Sequence, residues 1–196
     1  VALLGAFLLM LSLGTSKVIA VAGAVAMAFC SYNMQIIQVG HNTKMQAIAF
    51  FPWVLAGVIF TYRSAMRLSV GAGNDGVGGN GLSSSSVISS ETEGRVGKSS
   101  WKEWLPKTIL GAVLFALALS MQIKANHVQI TYYLAIVIFI YAIGLFISLC
   151  IDKAKRALIK RFFAASALLL VIGCIGIATN ANKLIPTYEY TPYTMR

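Results

Sequence analysis

The chain has two histidines, and both stand in short polar joints between apolar runs: His41 in "QVGHNTKMQ" and His127 in "IKANHVQ". A third joint of similar kind is "TNANKLIPTYEY" near the C-terminal end. Each joint supplies asparagine and one lysine: Asn42 with Lys44, Asn126 with Lys124, Asn182 with Lys183. Gln129, Tyr132 and Glu189 stand beside them. Lysines and amides together suit a phosphate or pyrophosphate, through point charge and hydrogen-bond donors. Tyrosines and amides suit a sugar, which presents flat faces and hydroxyl partners. The plain alternative is that these residues cap helices and that the tyrosines and lysines anchor them at a membrane surface. His41, His127 and Glu189 would make a two-histidine, one-carboxylate ligand set. They come from three separate joints without ligand spacing, so no metal is expected. Glu189 is the only acid near the joints, which leaves general acid–base work there to one carboxylate or to the histidines.

The elements that hold these joints are apolar. Of 196 residues, 58% are hydrophobic and 11% charged, and the mean hydropathy is +0.76. A soluble domain carries about 25% charged residues. The apolar residues come in blocks near the roughly 20 needed to cross a bilayer. The expected class is therefore an all-α, polytopic transmembrane bundle of about six segments: 1–14, 18–37, 45–62, 107–123, 130–150 and 162–179. The first block is apolar from Val1 and about 21 Å long as a helix, and the last ten residues end in a polar stretch. This predicts an internal piece of a longer protein. The second segment turns polar at Ser31, Tyr32, Asn33 and Gln35, residues expected to face the bundle or a wet cavity. Cys30, Cys150 and Cys174 lack ligand or redox spacing and read as small buried apolar residues.

The organisation follows: 1–62 holds three segments, the first of them short; 63–106 is a linker; 107–179 holds three more; 180–196 starts a further segment. Residues 71–100 contain eight Gly and eight Ser, a composition that packs poorly and predicts disorder. Gly71, Gly73 and Gly76 match a dinucleotide-binding spacing, but no strand precedes them and no helix follows. "WKEWLPK" reads as a return to the membrane, with Trp101 and Trp104 at the interface and Pro106 opening the fourth helix.

Charge sorts the joints into two sides. Lys17, Arg63, Arg67, Arg95, Lys98, Lys102, Lys107, Lys153, Lys155, Arg156, Lys160 and Arg161 fall on one side; Lys44, Lys124, Lys183 and Arg196 fall on the other. The formal net charge of +10 is thus explained by basic cytoplasmic loops and does not require nucleic acid. The bias places 63–106 and 152–161 in the cytoplasm and 38–45, 124–129 and 180–196 outside it.

Three stretches, "AGAVAMAFCSYNMQIIQVGHNTKMQAIAFFPWVLAGVIFTYR", "LSMQIKANHVQITYYLAIVIFIYAI" and "ATNANKLIPTYEYTPYTMR", closely resemble the YfhO-family membrane proteins of Bacteroidetes-type bacteria. As a set, GHNTKM, ANHVQITYY and TNANKLIPTYEY are specific, although no single one is. The resemblance implies a large multi-spanning protein of the bacterial cytoplasmic (inner) membrane, similar to the GT-C class of glycosyltransferases. Those enzymes pass a sugar from a polyprenyl-phosphate carrier to an acceptor outside the membrane. Their catalytic acid lies in an N-terminal outer loop that nothing in this chain matches, so no catalytic residue is assigned and no cofactor is indicated. On that reading Lys44, Lys124 and Lys183 would pair with the carrier phosphate, and His41 and His127 would orient it or the acceptor. The partners expected are membrane lipid and a polyprenyl-phosphate-linked sugar.

Two other readings stand beside it. A transporter or flippase for a lipid-linked or small polar substrate would place polar residues along a whole pathway; no charged residue lies in the middle of any segment. A non-catalytic scaffold would use the joints only as helix caps.

Overall fold

A computed structural model of the chain describes residues 1–66, 101–190 and 193. Its helices are α1 (Ala2–Leu13), α2 (Lys17–Ala28), α3 (Ser31–Gln38), α4 (Asn42–Met66), α5 (Trp101–Lys124), α6 (Val128–Ile151), α7 (Ile159–Ala178) and α8 (Ala181–Tyr190). A 3-10 turn, Lys153–Leu158, joins α6 to α7, and no strand occurs among the described residues. The glycine/serine linker lies outside the described residues, with Gly71, Gly73 and Gly76 and the basic Arg67, Arg95 and Lys98. So does Arg196.

Among the described residues five stretches are long and apolar enough to cross a membrane: Lys17–Gln38, Asn42–Met66, Trp104–Lys124, Val128–Ile151 and Lys155–Ala178. The protein is therefore an all-helical chain with the character of a multi-pass membrane protein. The first of the six expected segments becomes α1, whose 12 residues rise about 18 Å, short of the ~30 Å hydrocarbon core.

The second span is broken. Phe29 closes α2, and Cys30 is extended, with φ −63° and ψ 145°. The break frees carbonyls at the end of α2, and the Asn33 side chain accepts the task of pairing them: its Nδ2 donates to Met27 O at 2.9 Å and Ala28 O at 3.4 Å. Asn33 is buried as expected, but Ser31, Tyr32 and Gln35 are exposed. The reason is that α3 buries only the face carrying Asn33 and Ile36.

The centre of the bundle is the antiparallel pair α4 and α5. Small residues let the two backbones approach: a Cβ on Gly57 would fall 2.7 Å from the Phe115 backbone nitrogen, and one on Gly111 would fall 2.9 Å from that of Thr61. Such close approach is how helices pack where lipid removes the hydrophobic drive. The apolar core gathers Val54, Val58 and Tyr62 of α4, Ala112, Phe115 and Leu119 of α5, and Phe162, Ala165 and Leu169 of α7. Tyr62 stacks on Phe162 with centroids 5.3 Å apart, and its hydroxyl hydrogen-bonds Ser166 at 2.9 Å. On the other flank α1 runs beside α4, where Trp53 Nε1 donates to Val1 O at 3.0 Å and the Arg63 guanidinium donates to Ser12 O.

Two expectations need correction. Pro106 does not open its helix: α5 starts at Trp101, so Pro106 stands inside the second turn, where its missing N–H leaves one carbonyl unpaired. None of the three cysteines is fully buried, and Cys174 is exposed. It sits one residue past Gly173, which faces the core, and one residue along a helix turns a side chain by about 100°.

Candidate functional site

Each span alternates direction, so α3, α5 and α7 end where α4, α6 and α8 begin. That common end carries all three polar joints. The first is made by a glycine stop: Gly40 has φ 82°, its N–H reaches Ile37 O at 3.0 Å and the His41 N–H reaches Ile36 O at 3.1 Å. This paired bonding satisfies two trailing carbonyls of α3 and reverses the chain. α4 then starts at once, its first regular bond being Met45 N–H to His41 O at 3.1 Å. The N–H groups of Thr43 and Lys44 in that first turn have no acceptor within the helix.

The second joint turns through Asn126, the one described residue other than glycine with positive φ, at 58°. Asparagine tolerates this conformation better than most residues. The turn leaves His127 as the residue capping α6, its carbonyl accepting from Ile130 N–H at 3.2 Å. Its ring is thereby brought to the first joint: His127 Nε2 lies 3.2 Å from Thr43 Oγ1.

The third joint is clamped to α5. Asn180, buried, donates through Nδ2 to Ser120 O at 3.1 Å and to Ser120 Oγ at 2.9 Å. Ser120 Oγ and Thr179 Oγ1 are 2.8 Å apart. One turn on, Lys183 Nζ donates to the carbonyl of Lys124 at 3.3 Å, a trailing carbonyl of α5 that the helix cannot satisfy. The three joints therefore form one polar surface, tied by Thr43 to His127 and by Lys183 to Lys124.

Of the residues singled out in the sequence, His127, Lys124 and Lys183 take part in these ties. Lys44 places Nζ 5.7 Å from the centroid of the Tyr32 ring, a cation–π contact between α4 and α3. Gln129 Nε2 donates to Tyr133 Oη at 3.2 Å, and Tyr133 lies beside Tyr132 with centroids 6.0 Å apart. Tyr132 is exposed on α6, in the manner of an interfacial aromatic. His41 and Asn42 are exposed at the start of α4, and Asn126 is exposed at its turn. No hydrogen bond or ion pair joins the side chains of these three to a described residue. Asn182 and Glu189 lie on α8, which has no buried residue, and neither is drawn to the histidines. Among the described residues no three of His, Cys, Asp and Glu gather as metal ligands.

Thr43, Ser120 and Thr179 also belong to this surface without being named among the candidates. Thr179 opens the third joint and Ser120 stands four residues before Lys124, at an apolar run's end, which is the available signal; nothing in the sequence marks Thr43 as the partner of His127.

No family model, curated protein or solved structure matches this chain.

Proposed function

We propose that the polar end of the bundle binds the phosphorylated headgroup of a polyprenyl carrier, and that the chain is the central membrane part of a GT-C-like glycosyltransferase. The observation that carries this reading is the meeting of three lysine-bearing joints on one surface. Lys44, Lys124 and Lys183 give it positive charge against a single nearby carboxylate, Glu189. The first turn of α4 adds unused N–H groups, which favour an anion. His127 and Thr43 form a hydroxyl–imidazole pair suited to orienting a phosphate or an acceptor hydroxyl. The surface stands at the end of apolar helices, where the headgroup of a membrane-dissolved carrier is presented. The orientation that puts this end outside the cytoplasm follows from the sequence's charge bias.

The test is binding of an undecaprenyl-phosphate-linked sugar by the full-length protein in nanodiscs, measured beside thermal stability. Lys44→Ala and His127→Ala are each expected to weaken binding by about tenfold or more with the melting temperature unchanged, since a hydrogen bond to a charged group contributes roughly 1.5–3 kcal/mol. Unchanged binding, or a loss matched by unfolding, returns the joints to helix capping. One observation favours a second reading, transport or flipping of a lipid-linked substrate: the broken span at Phe29–Cys30, a device that transporters use near their sites. Carrier movement across sealed vesicles, without sugar transfer, would select it.

A further inference from the structure

The short helix α8 leaves the bundle at its polar end. Only Thr179 and Asn180 separate it from α7. Its start is fastened: the Asn180 carbonyl accepts from the Lys183 and Leu184 N–H groups at 3.0 and 3.1 Å, and Lys183 Nζ donates to Lys124 O at 3.3 Å. None of its residues is buried. Yet its sequence is sorted by face. At 3.6 residues per turn, Ala181, Leu184, Ile185 and Tyr188 fall within about 100° of the circumference. Asn182, Lys183, Thr187 and Glu189 occupy the rest.

The apolar stripe faces away from the bundle. Lys183 stands on the side of the helix roughly opposite it, and Lys183 is the residue bonded to the end of α5. Ile185 is accordingly 56% exposed and Tyr188 82%. Pro186 lies among the polar residues. It has no N–H to give the Asn182 carbonyl four residues back, and that acceptor is one that water satisfies and hydrocarbon does not. What meets the stripe follows from where α8 starts. Leu170, Val171 and Ile175 of α7 are exposed along a stretch apolar enough to cross a membrane, so lipid is their solvent up to the last turns of that helix. α8 begins directly beyond, where hydrocarbon gives way to headgroups. An amphipathic helix at that level lies with its apolar face in the boundary between headgroups and acyl chains, and tyrosine is enriched there.

We propose that α8 is an interfacial helix lying on the membrane at the polar end of the bundle, with Leu184, Ile185 and Tyr188 inserted among the phospholipids and Asn182 and Glu189 in water. The partner of this face is the lipid surface that already covers α7. The proposal does not depend on what the polar joint surface binds.

The experiment is fluorescence quenching of the full-length protein in phosphatidylcholine nanodiscs, in a cysteine-free background. A fluorophore is attached at Ile185→Cys or Tyr188→Cys on the apolar face, or at Asn182→Cys on the polar one. The quenchers are aqueous iodide and a phosphatidylcholine with a nitroxide near the top of its acyl chain. Labels at 185 and 188 are expected to be quenched severalfold more by the nitroxide lipid, and severalfold less by iodide, than the label at 182. Equal iodide quenching at all three positions puts α8 in water and overturns the proposal. Protection of 185 and 188 from both quenchers overturns it as well, since protein, either further chain or a second copy, then covers the stripe. Should the labelled variants fail to fold, the unmodified protein decides: a phosphatidylcholine carrying a diazirine near its ester groups must photolabel α8 as well as α7, and labelling of α7 without α8 sinks the idea.

Discussion

Gln122 is wholly buried on α5, seven residues beyond Phe115 and hence on the side that meets α4, and neither atom of its amide has a partner among the described residues. Asn33 is its counterpart in α3, equally buried but bonded to two freed carbonyls. The two amides thus have opposite effects on stability. An unpaired buried amide costs about 1–3 kcal/mol, so Gln122→Met is expected to raise the unfolding free energy by about that amount, measured by denaturant unfolding in detergent micelles. A fall instead would mean that the amide is engaged in the folded protein. This contrast is invisible in the sequence. "MQIK" ends an apolar run and reads as the edge of a joint, and burial of Gln122 depends on the α4 face laid against it. Asn33 was more legible, because a polar residue within a span must find a partner, yet its neighbours Ser31, Tyr32 and Gln35 carried the same signal and turned outward.

Among the helices, α4 is the hub and α6 the periphery: 56% of the apolar window of Asn42–Met66 is buried, against 11% for Val128–Ile151. The difference has a sequence cause that the hydropathy blocks conceal. α4 carries Ala47, Ala49, Ala56 and Gly57 on buried positions, whereas α6 is dominated by large side chains such as Phe139, Ile140 and Ile147 that remain exposed. Small residues admit a second backbone; large ones serve a lipid-facing surface. Gly57→Val should therefore destabilise the protein by about 1–3 kcal/mol through overpacking against Phe115. Gly144→Val on α6, where a Cβ meets nothing within 4 Å, should change stability by less than about 0.5 kcal/mol. Thermal unfolding of the two variants side by side checks this, and equal losses would place the tight seam elsewhere.

At the scale of the whole chain, the positions of the spans were legible because each apolar run stops at a charged or amide-rich joint. That the joints meet was not, since it requires α3, α5 and α7 to end at one level and Asn126 to turn His127 toward Thr43. The sidedness drawn from twelve basic residues against four is testable directly. In a cysteine-free background, Asn42→Cys, Asn126→Cys and Asn182→Cys should each react with an impermeant maleimide on intact cells. Lys155→Cys should react only after permeabilisation. Mixed labelling of the first three would mean that the joints do not share a side. The split second span also bears on how the chain is made. Its pieces of 12 and 8 residues rise about 18 Å and 12 Å, so neither crosses a bilayer alone and both enter as one stretch. The hydrogen bonds that reshape them at Phe29–Cys30 join residues only five and six positions apart. Contacts that local need little loop closure, so the bend at Phe29–Cys30 is a property of the span itself and its bonding needs no residue of a distant helix.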